Sequence, residues 1–333
     1  MRTTAHLLVT GGAGFIGSAF IRYLLRNAEF TGKILNFDAL TYAGNLAYLN
    51  GFHDHPRYRF VQGDILNQPL VEKLLLEEEI DGIVHFAAET HVDRSIASAL
   101  PFVETNVKGT LSLLEAVKRF PHVHFHHIST DEVYGSLGES GKFNEHSCYR
   151  PNSPYAASKA ASDHLVRAFA QTYKISTTIS HSSNNYGPCQ NGEKFIPLII
   201  QNCLKKKTVP VYANGANVRD WLFVEDHAEA LWEILKRGRR GEVYDIGGRT
   251  ELSNLELVYL IMESIEAKWP GDYRSLIRFV PDRLGHDFRY ALDTAKIESE
   301  LEWVPKISLK EGLQRTIHWY ENVRGNPQNS FAR

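Results

Sequence analysis

Tyr155 and Lys159 stand four residues apart in an alanine-rich stretch, 155–173, that Pro154 precedes. The pattern predicts a helix with both side chains on one face. A tyrosine near its ordinary pKa of about 10 is a poor base at neutral pH. A neighbouring ammonium favours the phenolate, which can then take a hydroxyl proton while hydride leaves the same carbon. Upstream, Ser129-Thr130-Asp131-Glu132 follows a strand candidate. A hydroxyl and two adjacent carboxyl groups exceed what alcohol oxidation needs. They suit elimination of water: one carboxylate removes a carbon-bound proton and one carboxylic acid protonates the departing hydroxyl. That division of labour requires an environment that pushes the two pKa values apart.

These groups need an electron acceptor, and the N-terminus offers a place for one. Gly11, Gly14 and Gly17 frame Phe15 and Ile16 between the first predicted strand and the first predicted helix. Such a loop turns tightly, lets a pyrophosphate approach the backbone, and aims a helix N-terminus at it. Asp38 ends the second predicted strand, 21 residues beyond Gly17. A carboxylate there accepts from both adenosine ribose hydroxyls and repels a 2′-phosphate; Ala39 offers no compensating arginine. The pattern favours NAD over NADP. Asp64, after the third strand, holds the adenine or caps a turn.

Strand-like runs at 6–10, 33–37, 58–62, 82–87 and 122–129 alternate with helical stretches at 15–26, 70–76, 102–120 and 155–173. Such alternation predicts an α/β fold, a Rossmann-like doubly wound parallel sheet. After about residue 185 the rhythm loosens, with shorter apolar runs at 195–204, 208–212, 221–224 and 243–246. This predicts a dinucleotide-binding part over 1–185, to which later segments return, and a smaller mixed α/β substrate lobe over 186–325. The polar tail from about Gly325 is expected to fray. The 333 residues carry a formal net charge of -2, against nucleic-acid binding. Three scattered cysteines form neither a disulfide framework nor a metal knuckle, and no apolar run reaches membrane length. A soluble, cytoplasmic protein is the expectation. His122, His124 and His126 alternate along one strand, where successive steps of about 6–7 Å keep three imidazoles from one ion, so no metal site is expected. The runs 205–207 and 237–240 read as solvated helix ends.

Together, the glycine loop, Tyr155/Lys159 and HISTDEVYG (127–135) resemble the extended short-chain dehydrogenase/reductases. More narrowly, they resemble the dTDP-glucose 4,6-dehydratase family. LTYAGNL (40–46), AAETHVDRSI (87–96), SPYAASKAASDHLV (153–166), SNNYGP (183–188), VRDWLFVEDH (218–227) and DRLGHDFRYALD (282–293) carry the narrower likeness. It runs from about residue 5 to 322. The resemblance implies a redox-neutral reaction on a nucleoside-diphosphate hexose, dTDP-glucose above all. Tyr155 abstracts the O4 proton as the C4 hydride leaves. Glu132 removes the C5 hydrogen, Asp131 protonates the C6 hydroxyl, and hydride returns to C6, while Thr130 holds O4. It implies cofactor contacts at Phe15, Ile16, Asp38, Leu40, Thr41, Asp64, Ile65, Phe86, Ala87, Ala88, Thr105, Tyr155, Lys159 and Asn185. Substrate contacts are implied at Thr90, Thr130, Asn184, Lys194, Phe195, Tyr212, Arg219, Asn254, His286, Arg289 and Tyr290. Lys194, Arg219 and Arg289 supply the cations that a pyrophosphate needs. It also implies a homodimer built through the helices at 102–120 and 155–173.

The sequence departs from this pattern at Cys189, at Asn191-Gly192, at Asp245, where the family has Asn, and at Phe288, which replaces one of two arginines. A UDP-sugar 4,6-dehydratase and a nucleotide-sugar 4-epimerase are the rival readings. An epimerase needs Tyr155 and Lys159 but no acid/base pair, so Asp131-Glu132 discriminates. A non-catalytic NAD-binding regulator would keep Gly11, Gly14, Gly17 and Asp38 while losing Tyr155 or Lys159, and both are present.

Overall fold

A computed structural model describes residues 5–325; the polar tail expected to fray lies beyond the described residues. The strands are β1 (His6–Thr10), β2 (Lys33–Asp38), β3 (Tyr58–Gln62), β4 (Gly82–His85), β5 (His124–Thr130) and β6 (Ser176–Ser182). They continue as β7 (Asn184–Tyr186), β8 (Val209–Tyr212), β9 (Val218–Phe223), β10 (Val243–Ile246), β11 (Glu251–Ser253) and β12 (Ile277–Val280). The helices that matter for the site begin with α1 (Phe15–Arg26), α2 (Gln68–Glu77), α3 (Val92–Ala97), α4 (Leu100–Phe102), α5 (Thr110–Lys118) and α6 (Pro154–Tyr173). Beyond them come α7 (Phe195–Leu204), α8 (Val224–Arg237), α9 (Asn254–Glu266), α10 (Ala295–Leu301) and α11 (Leu309–Gly325).

Seven strands form one sheet in the order β10-β6-β5-β4-β1-β2-β3, and all neighbours are parallel. The order reverses between β1 and β4. A crevice opens there beyond the carboxyl ends of the strands, the place where open α/β sheets bind ligands. Both faces are covered. Phe20 and Leu24 of α1, Leu231 and Trp232 of α8, and Trp303 pack on one side. Leu74 of α2, Leu113 and Val117 of α5, and Val166 and Phe169 of α6 pack on the other. Each such buried apolar side chain contributes about 1.5–3 kcal/mol.

β1, β2 and β4 are apolar runs, as a doubly covered parallel sheet requires. β5 and β6 are not: HFHHIST and STTISHS are largely polar, yet every residue is buried. Their polar atoms satisfy one another. His124 Nδ1 and Nε2 lie 2.8 and 2.9 Å from Ser176 Oγ and Thr178 Oγ1. His126 reaches Thr178 at 2.7 Å and Ser180 at 3.2 Å. Buried polar groups persist when bonded in this way. Beyond β6 lies β10, with Tyr244 opposite Ser180. Its residues lie in the second half, among the runs read as the smaller lobe, and return to extend the main sheet, as some later segment was expected to do.

The stretch predicted as one helix at 102–120 is α4, a π-helical segment Val103–Gly109, and α5. The wider turn brings Asn106 inward, where it accepts from Glu89 N at 2.8 Å and donates to Ser158 Oγ at 2.8 Å. This ties the loop after β4 to α6 and sets Thr105 at the crevice. In the second half, β11-β9-β7 and β12-β8 form two small sheets. A third apolar cluster around Ile196, Ile199, Leu257, Ile261 and Leu313 holds α7, α9 and α11 together. A Ser253/Glu256 capping box starts α9. Among the described residues no group of His, Cys, Asp or Glu could hold a metal ion, and no helix is long and apolar enough to cross a membrane.

Candidate active site

The crevice begins at the turn between β1 and α1. Gly11 has φ +68°, and a Cβ there would lie 2.5 Å from Ala87 N. A Cβ on Gly17 would lie 2.4 Å from the Gly11 carbonyl oxygen. The turn therefore closes only with glycine. Gly14 caps α1 without a side-chain bond, so the first-turn N–H groups and their partial positive charge face the crevice. At the end of β2, Asp38 accepts from Ala13 N at 3.0 Å and Leu40 N at 2.8 Å. Burial raises its pKa, and these two bonds oppose that rise. The cradle fits a dinucleotide: an anion site at the helix end, and a carboxyl group one strand away.

Gly11, Gly14, Phe15, Ile16, Gly17, Asp38, Thr41, Asp64, Ile65, Phe86, Ala87, Ala88, Thr105, Tyr155, Lys159 and Asn185 all line the crevice. Leu40 does not, although its N–H orients Asp38. Asp64 both lines the crevice and closes a turn by accepting from Leu66 N at 2.9 Å.

At the deep end, β5 delivers Thr130, Asp131 and Glu132, and the start of α6 delivers Tyr155. Thr130 Oγ1 donates to Asp131 Oδ1 at 3.3 Å and accepts from Glu132 N at 3.3 Å. It also hydrogen-bonds the Tyr155 phenol. Asp131 Oδ2 and Asn184 Oδ1 are buried at this end without a protein partner, as atoms awaiting a ligand would be. Burial, and then the charge of Glu132, push the Asp131 carboxyl well above its ordinary range. Burial raises Glu132 too, but Arg283, Arg219 and Lys194 pull it back. Both carboxyl groups are raised, but unequally in their surroundings: Asp131 has burial and the charge of Glu132 together favouring its acid form, whereas Glu132 has three cations opposing the effect of burial.

Lys159 corrects one expectation. Its ammonium donates to the Ile128 carbonyl at 2.7 Å and lies 3.5 Å from His127 Nε2. Burial lowers its pKa to about 8, with Asp163 opposing. The phenol of Tyr155 is raised rather than lowered, by burial first and Glu132 next, while the bond with Thr130 opposes the rise. Desolvation and the nearby carboxylates set the direction for the phenol in the protein alone.

Of the substrate set, Thr90, Thr130, Asn184 and Lys194 line the crevice, and Lys194 donates to the Thr90 carbonyl at 2.9 Å. Arg219 stands outside the lining but close enough to lower Glu132. It lies over the Tyr290 ring and is held by the carbonyls of Val218, Asp287 and Phe288. Tyr212 and His286 pack edge to face at 6.0 Å. Phe195 stacks on Trp221, and Asn254 opens α9. Arg289 is turned to Glu251 at 2.7 Å and to the Gly141 carbonyl at 3.0 Å, away from the crevice.

The family described as GDP-mannose 4,6 dehydratase matches residues 8–316. The chain is 48% identical to the dTDP-glucose 4,6-dehydratase of Neisseria gonorrhoeae, covering 98% of both chains. The solved dTDP-glucose 4,6-dehydratase of Bacillus anthracis, in complex with NAD, superposes with a TM-score of 0.88 at 47% identity, over 96% of this chain and 97% of that one. The Streptomyces venezuelae enzyme of the same name, with NAD and TYD bound, gives 0.89 at 48% identity, over 96% and 98%. The chain belongs to the dTDP-glucose 4,6-dehydratase family.

Motif reasoning within this family missed several residues. Arg283 acts on both Glu132 and Lys194 and has a buried Nε without a protein partner. It sits inside the DRLGHDFRYALD block, three residues before His286, so position within the block was the available signal. Gln190, Asn191 and Glu193 line the crevice as well. No spacing rule points to them, because the irregular stretch after β7 brings them there.

Proposed function

We propose that this chain removes water from dTDP-glucose, giving the 4-keto-6-deoxy sugar nucleotide, with NAD kept bound through turnover. The observation that carries this reading is the Asp131–Glu132 pair beside the Tyr155 phenol, Asp131 buried and Glu132 half-buried, with cations near Glu132 alone opposing the effect of burial on it. An oxidation or an epimerisation at C4 needs no such pair. The dTDP-sugar is favoured because the relatives matched over nearly the full chain carry that substrate in their names.

Bound NAD accepts the C4 hydride and later returns it to C6. Gly11, Gly14 and Gly17 would leave room for its pyrophosphate against α1, Asp38 would take the adenosine ribose, and Lys159 the nicotinamide ribose. Tyr155 accepts the O4 proton, and Thr130 orients that oxygen. The C4 ketone acidifies C5–H, and Glu132, whose carboxylate form Arg283, Arg219 and Lys194 favour against burial, removes that proton. Asp131, kept protonated by burial and by Glu132, donates to the departing C6 hydroxyl. Glu132, having exchanged its proton with water, then protonates C5. Lys194 would meet the substrate pyrophosphate in the crevice, Arg219 would have to turn from the carbonyls that hold it, and Arg289 would have to leave Glu251 to join them.

Three further readings accompany this one. Residues 1–185 with β10 form the dinucleotide-binding part, and most of 186–325 forms the substrate part. Leu100, Val103, Leu111 and Tyr173 are exposed on the outer helices, and a homodimer contact there would cover them. Cys148 is exposed and unpaired, which suits the reducing cytoplasm.

The test is incubation with dTDP-glucose, UDP-glucose and GDP-mannose in deuterated water. Loss of water, deuterium at C5 and no net NADH are expected with dTDP-glucose. Net NADH, or C4 inversion without dehydration, would overturn the assignment.

A further inference from the structure

Behind Lys159 lies a row of buried ionisable groups that the steps above leave unused. Asp163, one turn further along α6, is 2% exposed. Its Oδ1 lies 3.2 Å from His127 Nε2. Its Oδ2 lies 3.2 Å from His181 Nε2 and accepts from Ser129 Oγ at 2.8 Å. On its other side, His181 Nδ1 donates to Asp245 Oδ1 at 3.0 Å. The hydroxyls of Tyr134 and Tyr149 stand 2.9 and 2.8 Å from the two His181 nitrogens. His127 Nε2 is 3.5 Å from Lys159 Nζ. Side chains from β5, α6, β6 and β10 thus make one chain of contacts: Lys159, His127, Asp163, His181, Asp245.

Charges buried this deeply survive only when partnered. Burial alone would lower the His181 pKa, but Asp163 and then Asp245 raise it to about 9. Burial would raise Asp163, but His127 and His181 hold it well below its ordinary range. Burial, and then the charge of Lys159, lower His127 to about 4. The row therefore reads ammonium, neutral imidazole, carboxylate, imidazolium, and the Asp245 carboxyl group that accepts from it. Other titratable groups face it. His85 lies beside His127, with ring centroids 5.3 Å apart. His164 packs on Tyr149, and Arg167 acts on the Tyr149 hydroxyl. Glu145 accepts from Asp245 N at 3.1 Å, with Lys296 beyond it. Among these, Asp163 is the group that opposes the loss of the Lys159 proton.

We propose that Asp163, His181 and Asp245 are positioning residues for Lys159: Asp163 supplies its counter-charge, Asp245 holds His181 as the cation that shares Asp163, and the row sets the pH window of C4 oxidation. This rests on the reading that Tyr155 and Lys159 carry out that oxidation. A row that only ties β6 and β10 to α6 would act on stability and on the rate plateau, but would not move the pH limits.

The experiment uses the NAD-loaded protein, with Asp163→Asn and Asp245→Asn. Histidine-labelled NMR reads His181 directly. In the native protein it should remain an imidazolium across neutral pH, and in Asp245→Asn its titration should fall by about one unit or more. C4 oxidation is read in a single turnover from the absorbance of the reduced cofactor. In Asp163→Asn its alkaline limit should move acidward by about one unit, a loss of about fivefold at pH 8 that approaches tenfold above pH 9, beside a much smaller one at pH 6.5. In Asp245→Asn the oxidation profile should gain an ionisation that coincides with the shifted His181. This arm decides alone if Asp163→Asn does not fold. A native His181 that is neutral at pH 7, or variants that scale the plateau while the limits stay in place, would overturn the proposal. A native protein that never reduces its cofactor would instead refute the reading of the site, and the NMR result would stand apart from it.

Discussion

Replacing Glu132 with Gln removes a charge and keeps the size of the side chain. Glu132 is the leading charge, after burial, in raising both Tyr155 and Asp131. A like charge at such range shifts a pKa by about one unit or more. Glu132→Gln should therefore bring the phenol down and move C4 oxidation acidward by about that much, without abolishing it. Elimination should fare differently. The amide cannot take the C5 proton, and Asp131 is required in its acid form. Loss of a positioned base costs about 10²- to 10⁴-fold, which is about 2.7–5.4 kcal/mol on the barrier at 1.36 kcal/mol per decade. The assay is a single turnover with dTDP-glucose in deuterated water, followed by cofactor absorbance and product mass. Reduced cofactor should accumulate toward one per site, with no deuterium at C5. Full turnover with deuterium at C5 would exclude Glu132 as the base. Loss of oxidation at every pH would refute the electrostatic coupling to Tyr155.

The remaining predictions are narrower. Lys159 is a cation below about pH 8 and neutral above it, so C4 oxidation should hold below pH 8 and fall as pH rises through it; a rate still flat at pH 9.5 contradicts this. Gly11→Ala places a methyl 2.5 Å from Ala87 N at φ +68°, and the backbone conformation alone costs alanine about 1–2 kcal/mol. Cofactor content after dialysis should drop at least about tenfold, a factor worth 1.4 kcal/mol, and undiminished content would disprove the close-approach argument. Ser253→Ala removes the cap of α9 and should cost about 1 kcal/mol in urea unfolding with cofactor reduction unchanged; an equal loss of both would tie this cap to the site.

What the sequence determined by itself was local. Glycines at 11 and 17 permit a turn that no other residue closes, and apolar runs such as Leu7-Leu8-Val9 need two covered faces, so β1, α1 and the cradle were legible. Tyr155 and Lys159 share a helix face by spacing alone, and Thr130 to Glu132 follow a strand that points them into the crevice. Tertiary structure alone decided three things. Ser176–Ser182 carries no apolar signature, because its hydroxyls are the partners of His124 and His126 one strand away, and hydropathy is blind to a polar group satisfied by a distant one. Val243–Ile246 joins the main sheet only because β6 leaves an edge beside it. The protonation states of Asp131, Glu132, Lys159 and His181 depend on which charges folding brings near them, from Arg219 and Arg283 to Asp163 and Asp245. A pKa is set by distance and burial, and neither quantity is written along the chain.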